Sequence, residues 1–293
     1  MSDNNNKNRE YANLPLHVYA AGKQPGIVKT LLTIAKEFPA AHSLGYRFAK
    51  RNIKARYTQS ILGIVWALLP NISIAAVWII LHNNKIVTVS HTGGNYALFV
   101  IIGIMLWAVF TKAVLTPLQI IQSNRGVLVK INFPREALVI LSFYETLFNA
   151  VITLIVIVAS MIYFQVPVSF SSLLFFPSLL LLNIMGLCIG TLLVPVSVLN
   201  NDVNFLLPTF LQFAMYLTPV VYAQTTSNGI LQILSLNPVS PILTIARNFL
   251  LGIDSPISWI QLLIVTLVTL VLFIAGIIIQ RFAMGILIER MGS

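Results

Sequence analysis

Residues 96–116 read YALFVIIGIMLWAVFTKAVLT, twenty-one positions with Lys112 as the single charge. An α-helix needs about 20 apolar residues to cross the hydrocarbon core of a bilayer, and in that solvent its backbone groups must be satisfied within the segment. The run therefore predicts a membrane-spanning helix. Working outward, five further stretches meet the same test: 61–81, 137–163, 172–199, 205–223 and 258–280. Composition agrees, since 57% of the 293 residues are hydrophobic and 9% charged, whereas soluble domains carry about a quarter charged residues. Mean hydropathy is +0.88. The predicted fold class is all-α: an integral membrane protein with six transmembrane helices.

The net charge is +10, and ten of the eighteen Lys and Arg lie before residue 57. The polar start MSDNNNKNRE, with no long apolar run before Ile61, argues against a cleavable signal peptide and places this end in the cytoplasm. Six spans return the chain to the same side. Arg125, Lys130 and Arg135 fall between the second and third spans, and Arg281 and Arg290 after the sixth; only Lys85 and Arg247 fall in outer segments. Positive charge retained inside thus gives a multi-pass protein of the inner, cytoplasmic membrane with both termini cytoplasmic. Residues 1–43 read as a cytoplasmic N-terminal extension, 44–60 as an amphipathic interface helix, 61–285 as the six-span domain and 286–293 as a cytoplasmic tail. Within the domain, 117–136 is a cytoplasmic loop. The piece 238–252, PVSPILTIARNFLLG, has an apolar run closed by Gly252. It reads as a re-entrant helix entering from outside, or as an interfacial helix lying flat.

In Tyr46–Ser60, YRFAKRNIKARYTQS, the cations Arg47, Lys50, Arg51 and Lys54 recur at i, i+3, i+4 and i+7, which places them on one helical face. Phe48, Ala49, Ile53 and Ala55 spread across the other. Such a helix suits the anionic inner surface of a membrane. Arg56 falls on the apolar side, where it either snorkels or binds an anion.

No phosphate-binding glycine loop, metal-ligand spacing or nucleophile motif occurs. The four histidines, His17, His42, His82 and His91, lie outside the spans, and the single cysteine, Cys188, sits in an apolar run. The eight carboxylates form no close pair within one span, so general acid–base chemistry lacks its groups. The chain reads as non-catalytic and without a metal or cofactor of its own. Two charges do lie inside spans, Lys112 and Glu145. Ionised groups in lipid usually pair, so these two are expected to face each other, unless Lys112 snorkels to the interface.

Four stretches together resemble the ABC transporter permeases that export polysaccharides. They are RNIKARYTQSILGIVWALLPN (51–71), GVLVKINFPREALVI (126–140), YLTPVVYA (216–223) and NPVSPILTIARNFLLG (237–252), in that order and over roughly residues 45–285. Ile131 and Asn132 depart from the family's usual pair. The resemblance implies a half-channel: a second copy of the chain, and two copies of a separate ATPase subunit that binds ATP and Mg. The cargo it implies is an O-antigen-like, capsule or teichoic-acid glycan on undecaprenyl diphosphate.

A sugar polymer offers CH faces on which aromatic rings stack, so Trp66, Trp107, Phe110, Tyr144, Phe210 and Tyr216 are candidate channel liners, with belt or packing roles as the alternative. The lipid diphosphate would be drawn to Arg47, Lys50, Arg51, Lys54 and Arg56, because a guanidinium donates a bidentate fork to phosphate. Prolines 70, 117, 195, 208 and 219 permit kinks. A short helix at Ser123–Lys130 would dock in the ATPase, with Arg125, Gly126 and Lys130 at the contact and Leu128 and Val129 as its apolar part. Phe133, Pro134 and Arg135 would form a stiff corner leading into the third span, with Glu136 at the positive end of that helix. The rival readings are an ABC permease for drugs or other lipids, an ion-coupled secondary transporter and a membrane glycosyltransferase. An ion-coupled transporter needs intramembrane carboxylates, for which Glu145 is the one candidate, and commonly an internal repeat, which is not seen; the glycosyltransferase lacks the acidic residues expected around a metal-bound sugar nucleotide.

Overall fold

A computed structural model of the chain describes residues 27–58, 63–87, 89, 95–130, 136–167, 169–223, 237–253 and 259–292. The elements are α1 (Ile27–Thr58), α2 (Gly63–Asn83), α3 (Tyr96–Ser123), α4 (Arg125–Lys130), α5 (Glu136–Tyr163), a 3-10 turn (Phe170–Leu174), α6 (Phe175–Leu199), α7 (Asp202–Leu217), α8 (Val239–Leu251) and α9 (Trp259–Gly292). No strand occurs among the described residues.

Helix ends follow local chemistry. Asn95 caps α3 by accepting from the Ala97 amide at 2.9 Å, satisfying one of the donors a helix start leaves open. Glu136 opens α5, where a carboxylate complements the helix dipole. At the end of α8, Gly252 takes φ +64°, a left-handed turn natural to glycine, as the sequence anticipates.

Among the described residues, five helices are long and apolar enough to cross a membrane: Val65–Asn83, Tyr96–Ser123, Glu136–Tyr163, Phe170–Leu199 and Trp259–Arg281. The protein is therefore an all-α, multi-pass membrane protein. The sixth expected span, 205–223, takes a different form. There α7 has 16 residues, about 24 Å at 1.5 Å per residue, against roughly 30 Å of hydrocarbon. It stops at Leu217 because Pro219 has no amide hydrogen to extend it. The interface helix also differs from the expected 44–60, beginning at Ile27 and running 32 residues.

α3 lies at the centre, with α2, α5, α6, α7 and α8 against it; α9 packs on α6, and α1 lies along α5. Lipid gives helices no hydrophobic reason to associate, so close contact through small residues carries the packing. On α6, Gly186 and Gly190 provide it: a Cβ at Gly190 would stand 2.2 Å from the Val114 carbonyl oxygen of α3. By contrast α2, α7 and α9 leave large apolar side chains exposed, among them Trp66, Ile80, Phe205, Phe213 and Leu263. These are faces for acyl chains or for another protein.

Candidate functional site

The cationic face of α1 is exposed as its spacing predicts, and of the residues expected on the other side Ala49 is buried, Phe48 and Ile53 are half-buried and Ala55 is exposed. Arg47, Lys50, Arg51 and Lys54 are exposed, while Ala41, Gly45 and Ala49 are buried against α5. A Cβ on Gly45 would come within 2.8 Å of the Ala137 carbonyl oxygen, so α1 sits nearly backbone to backbone on α5. Arg51 is partly engaged within its own helix, over the Phe48 ring at 4.4 Å and 3.4 Å from Asn52 Oδ1. That leaves a basic strip along one helix, with a groove of about 470 Å³ beside it lined by Tyr46, Lys50, Lys54, Tyr144 and Phe148.

Glu145 finds a different partner from the one expected. Its carboxylate, 2% exposed, accepts from Arg56 Nη2 at 3.0 Å and from Asn52 Nδ2 at 3.0 Å. Lys112 is exposed on α3, and among the described residues no ion pair joins it to Glu145. The reason is helix phase: α1 runs along α5 and brings Asn52 and Arg56, one turn apart, onto the carboxylate. This also explains why Arg56 departs from the basic face. It points toward α5, and with half of its side chain exposed it is not wholly given over to an anion.

The short helix expected near Ser123–Lys130 is α4. Arg125 and Gly126 are exposed, and nothing lies within 4 Å of a Cβ built on Gly126. Leu128, expected to touch a partner, is instead 3% exposed and joins the buried cluster with Leu118, Ile121 and Leu138. It anchors α4 to its own chain by taking a leucine side chain out of solvent. Phe133, Pro134 and Arg135, and the side chains of Val129 and Lys130, lie outside the described residues. Glu136, beyond that corner, is buried and accepts from Arg281 Nη1 at 2.7 Å, while Arg281 Nη2 donates to Glu37 at 3.1 Å. One guanidinium thus links α9, α5 and α1.

The six aromatics separate into three places. Trp66, Phe210 and Tyr216 are exposed on α2 and α7, and the two helices meet where Trp78 lies beside Tyr216, ring centroids 6.4 Å apart. Trp107 and Phe110 pack together, centroids 5.2 Å apart, at 5% and 4% exposure in the core. At that burial the two rings are packed within the chain and face no open path in it. Tyr144 sits at the α1–α5 seam, its hydroxyl 2.8 Å from His42 Nε2.

One arrangement escapes the sequence reading. Arg247 of α8, assigned above to an outer loop, is 1% exposed. Its Nη1 donates to the Val220 carbonyl and its Nη2 to the Pro219 carbonyl, each at 2.8 Å, and its guanidinium lies 3.6 Å from the Phe99 ring centroid. Asn237 Nδ2 donates to Thr218 Oγ1 at 2.9 Å and Tyr96 Oη to the Val221 carbonyl at 3.3 Å. Together they satisfy the unwound stretch that follows α7, as buried irregular backbone requires. The available signal is a lone arginine in an otherwise uncharged apolar helix, paired with a proline that frees carbonyls elsewhere. Among the described residues, no three His, Cys, Asp or Glu side chains gather closely enough to hold a metal ion.

No protein-family model matches the chain. A curated relative, the O-antigen export system permease protein RfbA of Myxococcus xanthus, is 26% identical over 219 residues, which is 73% of this chain and 82% of the relative.

Proposed function

We infer that this chain, a permease of the polysaccharide-export ABC family, is the membrane subunit of an ATP-driven exporter for a glycan carried on undecaprenyl diphosphate. The observation that carries the reading is the alignment to an O-antigen export permease along most of both chains. In this reading the chain sits in the inner membrane with both termini cytoplasmic. α7 and the stretch tied down by Arg247 complete a sixth crossing, and α8 enters from the outer side. Two copies pair through the exposed α2–α7 face, whose Trp66, Phe210 and Tyr216 offer rings to sugar CH faces.

The basic strip of Arg47, Lys50, Arg51 and Lys54 attracts the lipid diphosphate at the inner surface. Arg56 contributes only the part of its guanidinium that Glu145 leaves accessible. An ATPase subunit, present in two copies with ATP and Mg, docks at α4 through Arg125 and Gly126. Its motion passes through Phe133, Pro134 and Arg135 into α5.

The test is to delete the chain in its own cell and follow the glycan. Loss of surface polymer with lipid-linked glycan trapped at the inner leaflet is expected, together with co-purification of the chain and an ATPase subunit. Surface glycan at its normal level without the chain would sink the proposal.

A further inference from the structure

A groove of about 620 Å³ runs between α5, α6 and α9 under the edge of α1, floored by Cys188, Thr191 and Gly276. Leu270 and Phe273 on its lip are exposed, and the span of α9 that walls it is only 17% buried, so the groove opens sideways off a helix that faces the bilayer. Its volume lies in the range of small-ligand sites, and its lining is almost wholly apolar.

One end of the groove is different. A smaller cavity of about 70 Å³ shares Val139, Ile140, Phe273 and Ile277 with it and is closed by Glu136, Gln280 and Arg281. Gln280 is 3% exposed, and its Oε1 has no hydrogen-bond partner. An amide oxygen can only accept, and a buried acceptor left unpaired is costly, so the site lacks a donor. Beside it, Arg281 bonds the carboxylates of Glu136 and Glu37; two negative charges and one positive leave this triad at −1.

The geometry points to a resident phospholipid, its acyl chain in the groove and an ammonium-bearing headgroup, of the ethanolamine type, at Gln280. The apolar groove matches an acyl chain, and the orphan acceptor beside a cluster of net negative charge matches the ammonium group. Choline offers no N–H, and phosphate oxygens only accept, so neither a choline lipid nor the diphosphate cargo proposed above meets the need at Gln280. The site is thus separate from cargo handling, and it stands or falls independently of that reading.

The full-length chain is reconstituted in nanodiscs holding equimolar phosphatidylethanolamine and phosphatidylcholine of identical acyl chains, and retained lipid is counted by native mass spectrometry. The wild type is expected to retain the ethanolamine lipid over the choline lipid by about five-fold, near what one net hydrogen bond contributes. Gln280→Leu brings that ratio to about one while keeping total lipid, because only the headgroup contact is lost.

Gly276→Leu, where an added Cβ meets only ordinary contacts at 3.6 Å or more, fills the slot and lowers retention of both lipids. Thr266→Phe, on the groove wall, repeats that test should the glycine variant misfold. Equal retention of the two lipids by the wild type would overturn the proposal. So would displacement of the ethanolamine lipid by polyprenyl diphosphate, which would make the groove a cargo site. Disulfide dimers from Leu270→Cys in a Cys188→Ala background would assign it to a second copy instead.

Discussion

Two arginines hold opposite parts of this molecule, and they do so by different physics. Arg247 is enclosed among α3, α8 and the stretch after α7, and its guanidinium meets carbonyl oxygens and a ring face but no carboxylate. Arg56 stands half exposed at the end of α1 and meets a buried carboxylate. The first is a geometric clasp, since a planar fork matches two successive carbonyls that Pro219 leaves outside a helix. The second is an ion pair open to solvent on one side, and water and salt weaken it. What differs is the burial of the arginine itself, 1% exposed at Arg247 and half exposed at Arg56, together with the use that each site makes of the planar fork.

That contrast can be broken in order of expected effect. Arg247→Met strips two buried carbonyls of their donor and should destabilise the chain by about 2–5 kcal/mol, seen as a large drop in Tm in detergent. Arg247→Lys, with a charge but no fork, should recover only part of it. If the lysine variant matched the wild type, the clasp would be mere charge. Next comes Gly103→Ala, whose Cβ would stand 2.1 Å from the Val220 oxygen that Arg247 grips. Overpacking of this kind costs about 1–3 kcal/mol, and a Tm equal to that of the wild type would show that the stretch after α7 yields easily.

Smaller again is the Arg56–Glu145 pair. Arg56→Ala and Glu145→Gln should each lower stability by about 1–3 kcal/mol, toward the low end because Arg56 is half exposed. A double-mutant cycle should return a coupling of roughly 0.5–3 kcal/mol for this pair, and none between Glu145 and Lys112. Raising salt to 1 M should weaken the Arg56 contribution and leave that of Arg247 nearly unchanged. The smallest stability effect belongs to Arg125→Ala, within about 0.5 kcal/mol because the side chain is exposed. Export and stimulation of the ATPase are nonetheless expected to fall. Normal export in that variant would remove α4 from the docking surface.

Much of this fold is legible in the sequence because membrane helices announce themselves by length. Residues 96–116 and 137–163 fall within α3 and α5, 172–199 within the 3-10 turn and α6, and the expected span 258–280 coincides with α9 from Trp259 onward. The basic spacing of Arg47, Lys50, Arg51 and Lys54 likewise gives the face that α1 exposes. What the sequence conceals is rotation and neighbourhood. Glu145 pairs with Arg56 because α1 lies on α5, and no one-dimensional pattern reports which helices touch. Leu128 and Trp107 have residue types equally at home in a core, a lipid face or a docking groove, so only packing separates those roles. The stop after α7 is visible as Pro219, but its repair by an arginine 28 residues later is a tertiary event.

The Glu136–Arg281–Glu37 cluster has a mechanical consequence. Glu136 is the first residue of α5, and through one guanidinium it fastens the first turn of α5 to α9 and α1. A load arriving at the head of α5 is therefore shared by three helices from the outset. The stiffness of the assembly at that point is that of a braced joint and not of a single rod.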